Sequence, residues 1–187
     1  MKEIRIHGRG GQGAVTTSEI IVYAAVMDGK FGACFPYFGF EKKGGPVSAF
    51  VRIDERKIRE KNQVYNPNCI MVIDPTLLGS VDVFVGAKED SILVINAKSI
   101  DDIKIPPNIT KVAYIDANKA SMEIFGKLLP NTIVLGAFVK ATDWVSFDKV
   151  SEKTREVWGP KNIAALEFGY NNVTIVEING GKGDDKN

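Results

Sequence analysis

Ile4 and Ile6 alternate with polar neighbours over residues 2–7, the period of a strand with one buried face. A glycine cluster follows. Beyond it, apolar residues recur at helical spacing over residues 12–27, with Val15, Ile20, Ala24 and Met27 on or beside the apolar side and Gly29 as the stop. The opening is thus strand, tight turn, helix. A short second strand is expected over residues 32–35. Residues 36–46, PYFGFEKKGGP, crowd aromatics, charge and glycine between two prolines and suit an ordered loop. Over residues 46–54, Val47, Ala49, Val51 and Ile53 alternate with Ser48, Phe50, Arg52 and Asp54, which predicts a half-buried strand, antiparallel or at an edge. Short β-branched runs at 69–73, 81–85, 92–95 and 112–115 suit buried central strands. Residues 117–127, 131–140, 148–158 and 160–170 predict helices, and residues 180–187, with no apolar side chain, a flexible tail. The sum is an α/β chain with a mixed, mostly parallel sheet, flanking helices, a Rossmann-like start and a helical C-terminal third, arranged as one domain over residues 1–179.

Composition narrows function more than fold. Lys and Arg (24) nearly balance Asp and Glu (23), so no bulk charge points to nucleic acid. No apolar stretch reaches the ~18 residues of a membrane span, and the chain is expected to be cytoplasmic with no membrane contact. Cys34 and Cys69 lie far apart and outside any Cys-x-x-Cys spacing, as buried small hydrophobes would. A cubane iron-sulfur cluster takes about four thiolates, more than this chain has. Nor is there a Gly-Asp-Gly followed by a later Asn, the pattern that holds the metal and diphosphate of thiamine diphosphate. The chain is therefore expected to bind neither group alone.

Gly8-Arg9-Gly10-Gly11-Gln12-Gly13 satisfies G-x-G-x-x-G and sits between the first strand and first helix. Such glycines permit a tight turn and let backbone N–H groups face an anion. A dinucleotide site also needs an acid at the end of the second strand. Ala33-Cys34-Phe35-Pro36 supplies none, and Asp28 belongs to the helix end. Three readings stay open: an NAD or FAD site, an anion contact to a larger ligand, and a purely structural turn.

Asp74, Asn96 and Asp116 each follow an apolar run, so a parallel sheet would gather them on the edge of the glycine loop. Asp74 precedes Pro75 and Asp116 precedes a helix, which makes capping the preferred reading for both. His7, the sole histidine, closes the first strand beside the glycines. Lacking a nucleophile or acid partner in sequence, it is read as structural. Cations outnumber anions over residues 41–61, next to Tyr37, Phe38 and Phe40. This patch is either a solvated face or a subunit interface.

Several segments in order carry a resemblance: HGRGGQGAVTTSEI at 7–20, FPYFGFEKKGGPVSAFVRID at 35–54, VYNPNCIMVIDPTLL at 64–78, NTIVLGA at 131–137, and residues 162–170. Together they resemble the gamma subunits of the pyruvate:ferredoxin oxidoreductase family of 2-oxoacid oxidoreductases. The resemblance implies a part in converting a 2-oxoacid, above all pyruvate, and coenzyme A to acyl-CoA and CO2, with electrons passed to ferredoxin. It also implies alpha, beta and delta partner subunits that carry thiamine diphosphate, Mg and iron-sulfur clusters. Under it, Gly8 to Gly13 with Lys42 and Lys43 are candidate coenzyme A contacts, and Tyr37, Phe38 and Phe40 candidate subunit contacts that would let the isolated chain form a homodimer. Relatives commonly carry Glu-Arg-x-Gly-Ala-Pro where this chain has Glu41-Lys42-Lys43-Gly44-Gly45-Pro46. Lysine lacks arginine's planar two-pronged donor. The alternatives are a stand-alone nucleotide-binding or NAD-dependent oxidoreductase and a ligand-free scaffold.

Overall fold

A computed structural model describes residues 1–38 and 44–178. Its elements are β1 (Lys2–Arg9), α1 (Ala14–Met27), β2 (Phe31–Phe38), β3 (Pro46–Asp54), β4 (Cys69–Val72), a short 3-10 helix (Pro75–Gly79), β5 (Ser91–Asn96), β6 (Ile109–Ile115), α2 (Ala117–Phe125), α3 (Asn131–Thr142), α4 (Phe147–Trp158), α5 (Lys161–Asn172) and β7 (Thr174–Glu177). The strands form one sheet in the order β2-β3-β1-β4-β5-β6-β7. β1 pairs in parallel with β4, β4 with β5 and β5 with β6, while β3 lies antiparallel between β1 and β2, and β7 antiparallel on β6. Strands β1, β2, β4, β5 and β6 therefore run the same way, the mixed α/β arrangement expected. The C-terminal third is helical except for β7.

One face of the sheet carries the helices. Ile4, Ile6, Val51, Met71, Val94 and Ala113 pack there against buried residues of all five α-helices. In α1, Ala14, Thr17, Ser18, Ile21, Ala24 and Ala25 make one buried stripe at helical spacing. Gly29, at φ 80°, then stops the helix in the left-handed region that glycine tolerates. The other face has no α-helix among the described residues. Its apolar half, Ile70, Val72, Leu93, Ile95 and Val112, is closed by Val83, Phe84, Ile100, Ile103 and Ile105 from the connections.

Four readings of the sequence change. Residues 81–85 form a bend and turn rather than a strand, because the carbonyls of Val83 and Val85 accept from Arg5 Nη2 at 3.0 and 2.6 Å instead of joining a ladder. Residues 36–38 continue β2 instead of opening a loop. As the outer strand of the sheet, β2 tolerates a proline. β3 is antiparallel as expected but more than half-buried: residues 49–53 are buried on both faces, since Arg52 is covered by hydrogen bonds to Asn62 and Gln63. β7, unforeseen in the sequence, is a short exposed strand. The expected tail at 180–187 lies outside the described residues.

Candidate functional site

β1 and α1 meet at the glycine cluster, on the edge of the sheet where β4, β5 and β6 also end. Gly11 and Gly13 have φ of 91° and 78°, so side chains there would be strained. The loop is fastened from within. Arg9 N–H donates to Gln12 Oε1 at 2.7 Å, Gln12 N–H to the Arg9 carbonyl at 3.0 Å, and Gly10 N–H to the Gly45 carbonyl at 3.0 Å. Gln12 Nε2 donates to Asp74 Oδ2 at 2.7 Å, and Arg9 Nη2 to Thr76 Oγ1 at 2.9 Å. Burial alone would raise the Asp74 carboxyl, but hydrogen bonds from Thr76 and Gln12 and the Arg9 charge bring it below the ordinary carboxylate range. These bonds hold the loop in shape and leave the start of α1 unused.

That start is Gly13, which has no side chain to cap the first turn, and the first turn holds no acid. The amides of the first turn therefore face outward without a side-chain partner, at the positive end of the helix dipole. They border a cavity of about 380 Å3 lined by Arg9, Gly11, Ala14, Thr16, Val47 and Trp158. Trp158 arrives from the end of α4. Asn131, at the start of α3, closes the back of the turn: a Cβ on Gly13 would lie 2.8 Å from its Nδ2.

The residues singled out in the sequence fall into distinct groups. Asp74 joins the glycine loop and also caps the short 3-10 helix, accepting from Thr76 N–H at 3.0 Å. Asp116 caps α2, accepting from Lys119 N–H at 3.0 Å. Asn96 is buried and bonded throughout, to the Ile73 carbonyl, Asn118 Oδ1 and the amides of Ala117 and Asn118. It clamps the sheet edge to α2. Asp28 lies at the far end of α1, where it accepts from Ser146 N–H at 2.7 Å. His7 is buried on the loop-covered face, accepting from Arg5 Nε at 3.2 Å and facing Ser48 Oγ at 3.4 Å. Burial, and then the Arg5 charge, push its pKa down to about 3, which keeps it neutral. Tyr37 stands half-exposed on β2 at the same edge as the glycines. Phe38 ends β2, and Phe40, Lys42 and Lys43 lie outside the described residues.

Sequence reasoning did not single out Trp158, Asn131 or Thr76 for the site: Asn131 and Thr76 lie in segments that carry the resemblance, but nothing in those segments points to the glycine loop. A dinucleotide site is not built here: β3 separates β1 from β2, and the end of β2 carries no acid. The thiols do not suit a cluster either. Cys69 is fully buried in the sheet and Cys34 half-buried in β2, and burial raises both above the ordinary thiol value. Among the described residues no group of three or more His, Cys, Asp or Glu is placed to hold a metal, and no helix is long and apolar enough to cross a membrane.

Residues 3–173 match the family described as Pyruvate ferredoxin/flavodoxin oxidoreductase. The chain is 43% identical over 185 residues to the pyruvate/ketoisovalerate oxidoreductases common subunit gamma of Thermococcus kodakarensis, covering 95% of this chain and 100% of that one. It is 39% identical over 184 residues to the NADH-dependent phenylglyoxylate dehydrogenase subunit gamma of Aromatoleum evansii, covering 95% and 97%. Among solved structures it resembles the pyruvate oxidoreductase subunit PORC of Thermotoga maritima, with a TM-score of 0.79 and 34% identity over 94% of this chain and 98% of that one. With matches of this extent in sequence and in fold, the chain belongs to the pyruvate ferredoxin/flavodoxin oxidoreductase family and is a gamma subunit within it.

Proposed function

We propose that this gamma subunit of a multi-subunit 2-oxoacid:ferredoxin oxidoreductase presents the glycine loop to the diphosphate of coenzyme A, while alpha, beta and delta subunits hold thiamine diphosphate, Mg and the iron-sulfur clusters. The reaction joins the acyl group of a 2-oxoacid, pyruvate above all, to coenzyme A, releases CO2 and passes two electrons to ferredoxin in the cytoplasm. Of these reactants coenzyme A is the polyanion. One observation carries the reading: α1 starts with no side-chain cap and no acid, beside a cavity of about 380 Å3 that Arg9 borders. Backbone N–H groups at a helix start hold phosphate oxygens well. Gly8, Gly10, Gly11 and Gly13 keep the approach free of side chains, and Gln12 fixes the loop's shape. Gly45 accepts from Gly10 N–H and Gly44 from Arg9, and Lys42 and Lys43, which precede them in sequence, would add cations for the diphosphate. Tyr37, on the same edge, together with Phe38 and Phe40, close to it in sequence, forms the contact with partner subunits and the surface through which isolated chains would dimerise. The 39% identity to a gamma subunit of a phenylglyoxylate enzyme supports placing the choice of 2-oxoacid on other subunits.

The test is Gly11→Val in the assembled complex. A Cβ there meets no other atom within 4 Å, so the change obstructs the loop's outer surface without a clash inside the fold, although its φ adds local strain. The KM for coenzyme A should rise about tenfold or more while the KM for the 2-oxoacid holds. Wild-type values for both in a properly assembled complex would reduce the loop to a turn.

A further inference from the structure

One corner of the loop-covered face has little cover. β2 is the outermost strand, and its alternate residues Phe31, Ala33, Phe35 and Tyr37 stand opposite Asp54, Arg52, Phe50 and Ser48 of β3. Those β3 residues belong to the loop-covered side, since Ala49, Val51 and Ile53, which alternate with them, pack under the helices. The four β2 residues therefore share that side, over about 20 Å of strand. They join neither buried cluster, and Phe31 and Tyr37 are exposed. The opposite side of β2 is filled by α1: a Cβ on Gly32 would lie 2.9 Å from Val22.

The connection that follows β3 runs beside this row. It leaves from Asp54, opposite Phe31, and by Asn62 and Gln63 it lies over Arg52, whose guanidinium carbon stands 5.6 Å from the Phe35 ring centroid. Between those points are the exposed cations Arg56, Lys57, Arg59 and Lys61, none of which takes part in an ion pair among the described residues. Two nearby acids are held elsewhere. Asp54 pairs with the N-terminal ammonium at 3.0 Å and accepts from Arg56 N–H, and Glu60 accepts from Arg59 N–H at 3.0 Å. The cations that the sequence left as either a solvated face or an interface thus border an open aromatic surface, and aromatic residues with arginine are enriched where proteins dock.

We propose that this corner, the row Phe31 to Phe35 with the cations of residues 56–61, docks a partner subunit of the enzyme through a surface that sets Asp and Glu carboxylates around an apolar centre. Apolar side chains of that partner cover Phe31, Ala33 and Phe35, and its carboxylates meet Arg56, Lys57, Arg59 and Lys61. Charge selects the occupant. A second copy of this chain seated here would set the four cations against their own kind, which opposes association. The proposal deepens the reading of Tyr37 as a subunit contact, since it carries that contact along β2 and gives the partner's chemistry. The residues that test it lie at the end of β2 away from the glycine loop.

Carbodiimide coupling of the intact complex is the first test, because it joins a lysine amine only to a carboxylate already in contact with it. Lys57 or Lys61 should be linked to an Asp or Glu of another subunit. Both should react with acetic anhydride about tenfold more slowly in the complex than in the isolated full chain. Retention of this subunit on the affinity-tagged remainder of the enzyme should fall about tenfold in Lys57→Glu with Arg59→Glu, and by a similar factor in Phe31→Ser. All three residues are exposed, so the replacements spare the fold, which the urea midpoint of each isolated variant checks. Wild-type retention in both variants, or links from Lys57 and Lys61 only to a second gamma chain, would overturn the proposal. If Tyr37→Ser alone loses the partner, the Tyr37 contact stands without this surface. Wild-type retention in all three variants would overturn both.

Discussion

Helices and loops close the two faces of one sheet in this subunit, and they do so with different chemistry. On the helix-covered face the limiting quantity is volume. α3 and α5 pack backbone to backbone: a Cβ on Gly136 would strike the Leu166 carbonyl, and one on Gly169 the Ile133 carbonyl. On the loop-covered face, beside β1 and β3, the limiting quantity is hydrogen bonding. Arg5 holds the carbonyls of Val64, Val83 and Val85, and Arg52 holds Asn62 and Gln63 while pairing with Glu3 at 3.0 Å. Two guanidiniums thus fasten connections that have no helix to anchor them. The first face should fail when it is overfilled, and the second when its protonation changes.

The largest effect expected is at the α3–α5 contact. Gly169→Leu cannot be relieved by a rotamer, since the obstacle is backbone, and it should cost at least ~3 kcal/mol and leave little folded chain. Gly169→Ala meets the same carbonyl with a single methyl group and should remain measurable, with the unfolding free energy from urea titration lowered by about 1–3 kcal/mol. If Gly169→Ala unfolds at the wild-type midpoint, the two helices are not held at this distance and the contrast between the faces is lost.

A smaller effect, confined to acid, is expected on the loop-covered face. His7 titrates near pH 3 in the folded chain against an ordinary value of 6.5, so the folded state prefers the neutral ring. Unfolding then takes up a proton below pH 6.5, and the stability His7 contributes is present above that pH and lost as pH falls toward 3. The slope should reach about 1.4 kcal/mol per pH unit in that window. In the neutral ring Nε2 accepts from Arg5, which puts the proton on Nδ1, toward Ser48. His7→Gln can supply the same acceptor without titrating. Urea midpoints at pH 7, 5.5 and 4.5 should converge between variant and wild type as pH drops. Parallel losses in both proteins would place the acid sensitivity elsewhere.

The same contrast explains what the sequence made legible. On the helix-covered face apolar spacing is itself the cause of the structure, so α1, β4, β5 and the late helices can be read from it. The loop-covered face depends on which carbonyls a distant Arg5 or Arg52 captures, and local pattern does not carry that. Val81 to Val85 alternates like a strand yet forms a turn, because its carbonyls are bonded to a side chain some eighty residues away rather than to a neighbouring strand. β7 was invisible for another reason: its residues are all exposed, so no buried stripe marks it. At the candidate site the glycine turn, Gln12 and Asp74 could be placed from motif and strand order, since parallel strands must end on one edge. Trp158 and Asn131 could not. They reach Gly13 through the packing of α3 and α4, which fixes their positions without fixing any local sequence.

The smallest prediction returns to the helix-covered face and asks whether volume alone governs it. Thr154 on α4 is fully buried with its hydroxyl unpartnered, as is Thr17 on α1, and the two helices pack against each other. A buried hydroxyl without a hydrogen bond has lost its water and gained nothing in return, a penalty of about 1–3 kcal/mol in protein variants. Valine matches threonine closely in shape and branching at Cβ, so Thr154→Val keeps the packing and the helix preference while removing the unsatisfied oxygen. If packing is all that matters here, the variant should gain about 1 kcal/mol and melt roughly 2–4 °C higher. Thr17→Val should act likewise, and the double variant should show whether the gains add, which is expected only if the hydroxyls do not share a partner. A loss of stability in either single variant would mean that its hydroxyl is hydrogen-bonded in solution. The helix-covered face would then depend on polar contacts as the other face does, and the distinction between them would narrow to the α3–α5 contact alone.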